Sequence, residues 1–273
     1  MFIEITKTTD LQLDRVIFLN VGQGDSILVT SNQQIGLIDA GPGNIVSERL
    51  SQYLPFNINT LDFVVLTHFD KDHIEGFIRL SKTFAIKNLY ISKSNKENDL
   101  IEELKNIVIS KNIPTYYLSS DTDFQFADFS INVVWPISDQ TILPKDSNDN
   151  SIGIELKYGK CNVYTAGDLS SNFESESTKH IIDSNIEVLK LGHHGSRTST
   201  SQEFIMYTQP DIAIVSAGEN NSYGHPHKEV LDILSKNNIS TFQTKNGDIT
   251  TYLNQGDTIE LKQENKLNTV KCF

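Results

Sequence analysis

Short apolar runs alternate with polar breaks along most of this chain, and their lengths suit strands and modest helices. Residues 16–19, 26–29 and 35–38 are apolar. They are separated by Gly22-Gln23-Gly24-Asp25 and by the polar turn Ser31-Asn32-Gln33-Gln34, so successive strands are expected. A helix is expected over about 44–54, a strand over 63–66, and a helix over 74–80 with Ile74, Phe77 and Ile78 on its apolar face. Residues 88–91 read as a strand. Residues 97–110 read as a helix, because Leu100, Leu104, Ile107 and Val108 recur at spacings of three and four. The stretch 114–135 is strand-rich, 138–150 is a polar loop, and 152–158 with 162–165 form a hairpin through Gly159-Lys160. Further strands are expected at 187–191, 211–215, 241–244 and 248–253, and helices near 170–182, 200–207 and 227–236. No Pro/Gly/Ser-rich linker or fixed-period repeat interrupts this order. One α/β domain over residues 1–273 is expected, its two strand-rich halves packed sheet on sheet with helices outside.

The polar segments between these runs carry the chemistry. Directly after the 63–66 run comes Thr67-His68-Phe69-Asp70-Lys71-Asp72-His73, which places His68, Asp70, Asp72 and His73 within one loop. The spacing H-x-D-x-D-H offers two pairs of ligands, which suits two metal ions better than one. Two ions roughly 3.5–4 Å apart can share a hydroxide and clamp a substrate oxygen from both sides. Other candidates also follow apolar runs. Asp39 ends one, as an acid that orients an imidazole or as a turn acid. Asp168 ends another, in Thr165-Ala166-Gly167-Asp168, where its two oxygens can bridge ions. His193 and His194 stand between Gly192 and Gly195, and one of them can meet a phosphate or protonate a leaving oxygen. His225 sits between Gly224 and Pro226 and is a further ligand candidate, whereas His227 falls in a first helical turn. Layered α/β proteins build sites at strand ends, and the recurrence of these residues there is the argument for a site.

Composition narrows the partners. The formal net charge is −12, which disfavours non-specific binding to long nucleic acid, since phosphate contacts need Lys and Arg. Lys71, Arg79, Lys82, Lys87 and Arg197 are the candidates for a local basic strip near the histidines. Cys161 and Cys272 lack metal-type C-x-x-C spacing and are expected to be free thiols in a reducing compartment. The start Met1-Phe2-Ile3-Glu4 has no basic segment followed by a long apolar one, and no apolar run of about 18 residues occurs. A cytoplasmic protein without a membrane association is therefore expected.

Six segments together resemble the metallo-β-lactamase superfamily, and within it the soluble metallo-β-lactamase-like domain of the ComEC-type competence DNA-uptake channels. They are Phe18-Leu19-Asn20-Val21-Gly22-Gln23-Gly24-Asp25-Ser26, Leu37-Ile38-Asp39-Ala40-Gly41, the loop from Leu66 through Gly76, Thr165-Ala166-Gly167-Asp168, Leu189-Lys190-Leu191-Gly192-His193-His194-Gly195-Ser196, and Asn221-Ser222-Tyr223-Gly224-His225-Pro226. The resemblance covers nearly the whole chain. It implies an αββα sandwich with a two-metal site along one edge of the sheets. By the superfamily's pattern His68 and Asp70 would bind one ion, Asp72, His73 and His225 the other, and Asp168 would bridge. Asp39 would support the ligands from behind, and His193 or His194 would meet the phosphate. Asp70 stands where the superfamily often has histidine. The segment Asn148-Asp149-Asn150-Ser151 lacks a histidine often found there, and Asn20 replaces a more usual acid. The oxygen-rich first position favours a harder cation such as Mn²⁺ over Zn²⁺. The activity implied is metal-dependent phosphodiester hydrolysis, with nucleic acid, most simply DNA, as substrate, and with a protein partner or a second copy as a further expectation. Two rivals stand beside it: hydrolysis of a small phosphodiester, a phosphocholine-type ester or a lactone, which the net charge favours, and a metal-stabilised module that binds a partner without catalysis.

Overall fold

The structure, a computed structural model, describes residues 10–139 and 143–273, so residues 140–142 of the expected polar loop and the first nine residues lie outside the described residues. The first half runs β1 (Arg15–Phe18), β2 (Ile27–Ser31), β3 (Gln34–Ile38), helix α1 (Ile45–Tyr53), β4 (Thr60–Leu61), β5 (Phe63–Leu66), α2 (Lys71–Leu80), β6 (Ala85–Ile86), β7 (Leu89–Ile91), α3 (Asp99–Ser110) and β8 (Thr115–Tyr117). The second half runs β9 (Phe124–Phe126), β10 (Phe129–Trp135), β11 (Gly153–Tyr158), β12 (Cys161–Thr165), α4 (Ser171–Ser177), β13 (Val188–Lys190), α5 (Gln202–Thr208), β14 (Ile212–Val215), α6 (Lys228–Lys236) and β15 (Ser240–Gln243). The strands β16 (Ile249–Asn254), β17 (Thr258–Gln263) and β18 (Lys266–Lys271) then return to the first sheet, whose order is β18-β17-β16-β1-β2-β3-β5-β7-β8. The second sheet has the order β15-β14-β13-β12-β11-β10-β9.

Period-2 alternation explains the layering. Val16 and Phe18 of β1, Phe63 and Val65 of β5, and Ile131 and Val133 of β10 meet in one core between the sheets. Their neighbours Ile17, Val64 and Leu66 face the opposite way, where Val46 and Leu50 of α1, Ile74 and Phe77 of α2, and Ile101 and Leu104 of α3 cover them. On the far side Leu189 and Ala213 of the second sheet pack against Phe204 of α5 and Val230 of α6. The result is the αββα sandwich that the resemblance implies.

Three differences from the sequence reading matter. Helix α2 begins at Lys71, three residues before its apolar periodicity, so Asp72 and His73 sit in its first turn, where an acid suits the helix dipole. The β17–β18 hairpin was not expected, because β18 is an edge strand with mostly exposed or half-buried residues and carries little apolar signal. Cys161 and Cys272 are not free thiols: they form a buried disulfide, with Cα atoms 5.0 Å apart across 111 residues of sequence. Sheet packing brings the start of β12 to the chain end, a juxtaposition that spacing cannot show. A disulfide is what oxidising compartments support, so the expectation of a reducing compartment loses that premise. Among the described residues no helix is long and apolar enough to cross a membrane.

Candidate metal centre

Strand direction gathers the site. β3 and β5 are parallel neighbours in one sheet, as are β12, β13 and β14 in the other. Asp39 follows β3, His68 follows β5, Asp168 follows β12, His193 and His194 follow β13, and Ser216 follows β14. The carboxyl ends of five strands thus deliver these residues to one edge of the sandwich.

The loop after β5 is held from behind by Asp39. Its Oδ1 accepts from the Thr67 backbone N–H at 2.8 Å, and its Oδ2 accepts from the Thr67 hydroxyl at 2.7 Å and meets His73 Nδ1 at 2.7 Å. Helix α2 comes close enough to do this because residue 76 is glycine: a Cβ there would lie 2.0 Å from the Ala40 carbonyl oxygen. Gly24 does the same on the other flank, where a Cβ would lie 2.2 Å from the Asp72 carbonyl oxygen. Asp39, His193 and His194 all hold positive φ, 56°, 45° and 56°. Left-handed backbone is costly for such residues and concentrates where a site over-determines it.

These contacts fix the histidine tautomers. The single Thr67 hydroxyl proton goes to Asp39, so the oxygen accepts from His68 Nδ1 at 3.1 Å. His73 Nδ1 donates to Asp39, and His194 Nδ1 donates to the Ser216 carbonyl at 2.8 Å. Each ring then turns its Nε2 inward. All three Nε2 atoms are buried without a hydrogen-bond partner, as is Asp168 Oδ1. They converge on Asp168 Oδ2, at 3.4 Å from His73 and His194 and 3.8 Å from His68, while His194 Nε2 is 3.3 Å from Asp72 Oδ2. Two donors about 2.0–2.2 Å from one ion lie roughly 3.0–3.6 Å apart, so this spacing fits a divalent metal. Hydrogen bonds to the opposite ring nitrogen are also what orient metal-binding imidazoles.

Without an ion the same groups form a charge network. Burial opposes the charge on His73, but Asp168 and Asp39 outweigh it and hold its pKa well above the ordinary value. His194 is raised in the same way by Asp168 and Asp25. Burial, helped by His73, pushes His68 down to about 4. Asp168 and Asp72 are held low, against the cost of burial, by His194 and His73. To hold a cation His73 and His194 would have to give up these protons, since imidazole binds metal in its neutral form.

The remaining expected residues lie further out. His193 is 27% exposed and its Nε2 is 3.9 Å from Asp168 Oδ2. The His225 ring lies 5.4 Å from that of His193 and 6.1 Å from that of His194, with Tyr223 stacked on it at 5.6 Å. Asp70 stands at the N-cap position of α2, but its side chain makes no capping bond and takes hydrogen bonds from Lys96 and Ser147 instead. Donor atoms of Asp25, His73, Asp168 and His194 all lie within 4.8 Å of one another. Asp25 ends the Gly22-Gln23-Gly24-Asp25 turn, where nothing local marks its role. It forms a sealed ion pair with Lys190 and stands 3.3 Å from His194 Nδ1, so it braces that ring from behind. The Gly-Gln-Gly-Asp turn was the signal for Asp25. A lysine in an apolar strand was the signal for Lys190. The 148–151 segment, where a histidine is often found, braces the acid instead: Ser151 Oγ accepts from the Asp168 N–H at 3.0 Å.

Comparison with known proteins places the chain in a family. The sequence model of the metallo-beta-lactamase superfamily matches residues 19–219. ComE operon protein 3 of Bacillus subtilis is 30% identical over 94% of this chain and 34% of its own length. Recombination protein 2 of Haemophilus influenzae is 28% identical over 86% of this chain and 28% of its own length. The chain thus spans about a third of the length of these relatives. Among solved structures, the metallo-beta-lactamase fold protein YhfI from Bacillus subtilis superposes with a TM-score of 0.57 at 15% identity, covering 84% of this chain and 95% of its own.

Proposed function

We propose that this chain, which belongs to the metallo-beta-lactamase superfamily, is a metal-dependent phosphodiesterase that cleaves DNA. The observation that carries the hydrolase reading is the convergence of three buried, unpartnered Nε2 atoms on one Asp168 oxygen. Asp72, His73, Asp168 and His194 would hold one divalent ion, Mn²⁺ or Zn²⁺, and His68 and Asp70 with Asp168 would form the second position. A bound ion supplies Lewis-acid stabilisation of the phosphoryl oxygen and activates water at neutral pH. The chain's own residues do the rest. Asp39 and Asp25 keep the His73 and His194 rings aimed. His193, on the solvent side of Asp168, meets the scissile phosphate and delivers a proton to the leaving oxygen. Tyr223, 64% exposed and stacked on His225, offers a ring face for an unpaired base. Nucleic acid is favoured over a small ester by the names of two relatives, Recombination protein 2 of Haemophilus influenzae and Competence protein ComA of Neisseria gonorrhoeae. The net charge of −12 supports the second reading, a small phosphodiester.

The test is cleavage of labelled single- and double-stranded DNA by chelator-stripped protein given Mn²⁺, Mg²⁺ or Zn²⁺ in turn, with Asp72→Ala/His73→Ala alongside. The expected result is metal-dependent cleavage by the wild type and none by the variant. Turnover of bis-p-nitrophenyl phosphate with no DNA cleavage under any ion would replace DNA by the small-ester reading.

A further inference from the structure

The two halves of the metal cluster are not equally ready for a cation. His73 Nε2, His194 Nε2 and Asp168 Oδ1 are buried and free of hydrogen bonds, as is His68 Nε2, so the difference lies in the carboxylate beside His68. On the side of His68 the matching carboxylate oxygen is already engaged. Asp70 Oδ1 is the atom 3.9 Å from His68 Nε2, and that same oxygen accepts from Lys96 Nζ at 2.6 Å and from the Ser147 hydroxyl at 2.6 Å. Lys96 Nζ also lies 3.4 Å from Ser147 Oγ, and the Lys96 backbone N–H donates to Ser94 Oγ, so both ends of the residue are tied. The sequence supplies no histidine at 148–151 to complete this position with a neutral donor. The ammonium therefore sits against Asp70, the carboxylate that distinguishes this position from the one at His73 and His194, and it repels a divalent cation there. The Lys96 side chain also borders a cavity of about 220 Å³ under α3, lined by Phe69, Ile91 and Tyr117 among others.

We propose that Lys96 is a built-in cation at the His68–Asp70 position. The resting protein then holds one tightly bound divalent ion, at Asp72, His73, Asp168 and His194, and a second ion enters only by displacing Lys96 from Asp70. This rests on the metal-hydrolase reading above. It goes beyond it by making the number of ions a property of one lysine.

Mn²⁺ is titrated into the chelator-stripped full chain. Bound ions are counted by equilibrium dialysis, and adjacent pairs are detected by the spin–spin coupling of their paramagnetic resonance. Wild type is expected to bind one ion tightly and a second at least tenfold more weakly. Lys96→Met tightens the second tenfold or more and gives the coupled signal at stoichiometric metal. Lys96→Arg, which keeps the charge, behaves as wild type, a result that a purely structural role for Lys96 would not produce. Lys96→Gln repeats the comparison should the methionine variant fail to fold. Two equally tight ions in the wild type, or an unchanged second affinity in both neutral variants, overturns the proposal. Failure of the wild type to bind any ion overturns the metal-hydrolase reading itself, and loss of the tight ion in Asp72→Ala/His73→Ala supports that reading independently of Lys96.

Discussion

Two lysine–aspartate pairs flank the same cluster, and their surroundings separate their roles. Lys190 and Asp25 are sealed, with side chains 0% and 2% exposed, and Lys190 also donates to the Gly167 carbonyl at 3.2 Å. Lys96 and Asp70 are paired at 2.6 Å with side chains 33% and 30% exposed. The first pair lies behind His194 and the second at the mouth beside His68. A charge removed from water must keep its partner, so Lys190–Asp25 is scaffold. A pair that water can reach exchanges partners at little cost, so Lys96–Asp70 is available to be displaced. The same two functional groups are thus a fixture in one place and a competitor for metal in the other.

The largest effect that would sharpen this contrast comes from breaking the sealed pair. Lys190→Met leaves Asp25 buried without its counter-charge, and a loss of about 3–5 kcal/mol is expected in urea unfolding. A loss as small as that of an exposed pair would erase the distinction drawn here. The next effect is in pH. Against the cost of burial, Lys190 and then His194 hold Asp25 well below the usual carboxylate range. A depressed folded pKa adds stability that is fully present above the unfolded value near 4 and is lost as pH falls through the folded value. The gap in unfolding midpoint between wild type and Asp25→Asn should therefore be wide at pH 7 and shrink steadily below pH 4. A gap that widened in acid would have the wrong sign. The smallest effect belongs to the open pair: Lys96→Met should change unfolding stability by less than about 1 kcal/mol, measured on the same metal-free protein. A change as large as that of Lys190→Met would make Lys96 part of the scaffold and not a displaceable charge.

Local chemistry was legible in the residues. The H-x-D-x-D-H loop after an apolar strand announced the site, because a strand end, a loop and a helix start must lie together in any fold. The unbroken apolar runs Val16-Ile17-Phe18 and Phe63-Val64-Val65-Leu66 announced sheets covered on both faces, because side chains on a pleated strand point alternately up and down. For Asp39 the residues left two readings, a turn acid or a support for an imidazole, and the pairing of β3 with β5 is what sets it against His73.

What depended on distance in the chain was not legible. Asp25 and Lys190 are 165 residues apart, Cys161 and Cys272 are 111 apart, and Lys96 reaches Asp70 from a different loop. No periodicity links such residues; only the packing of two sheets brings them together. The paired histidines show the same limit. Adjacent residues share a sequence environment, yet left-handed backbone at 193 and 194 sends one ring to the solvent side and buries the other against Asp72 and Asp168. The sequence by itself determined which chemical groups the protein owns and the strands that carry them, because those are local properties. The tertiary structure alone decided which groups are buried, which are paired and which carboxylate still has an oxygen to offer, because desolvation and contact are properties of the packed molecule.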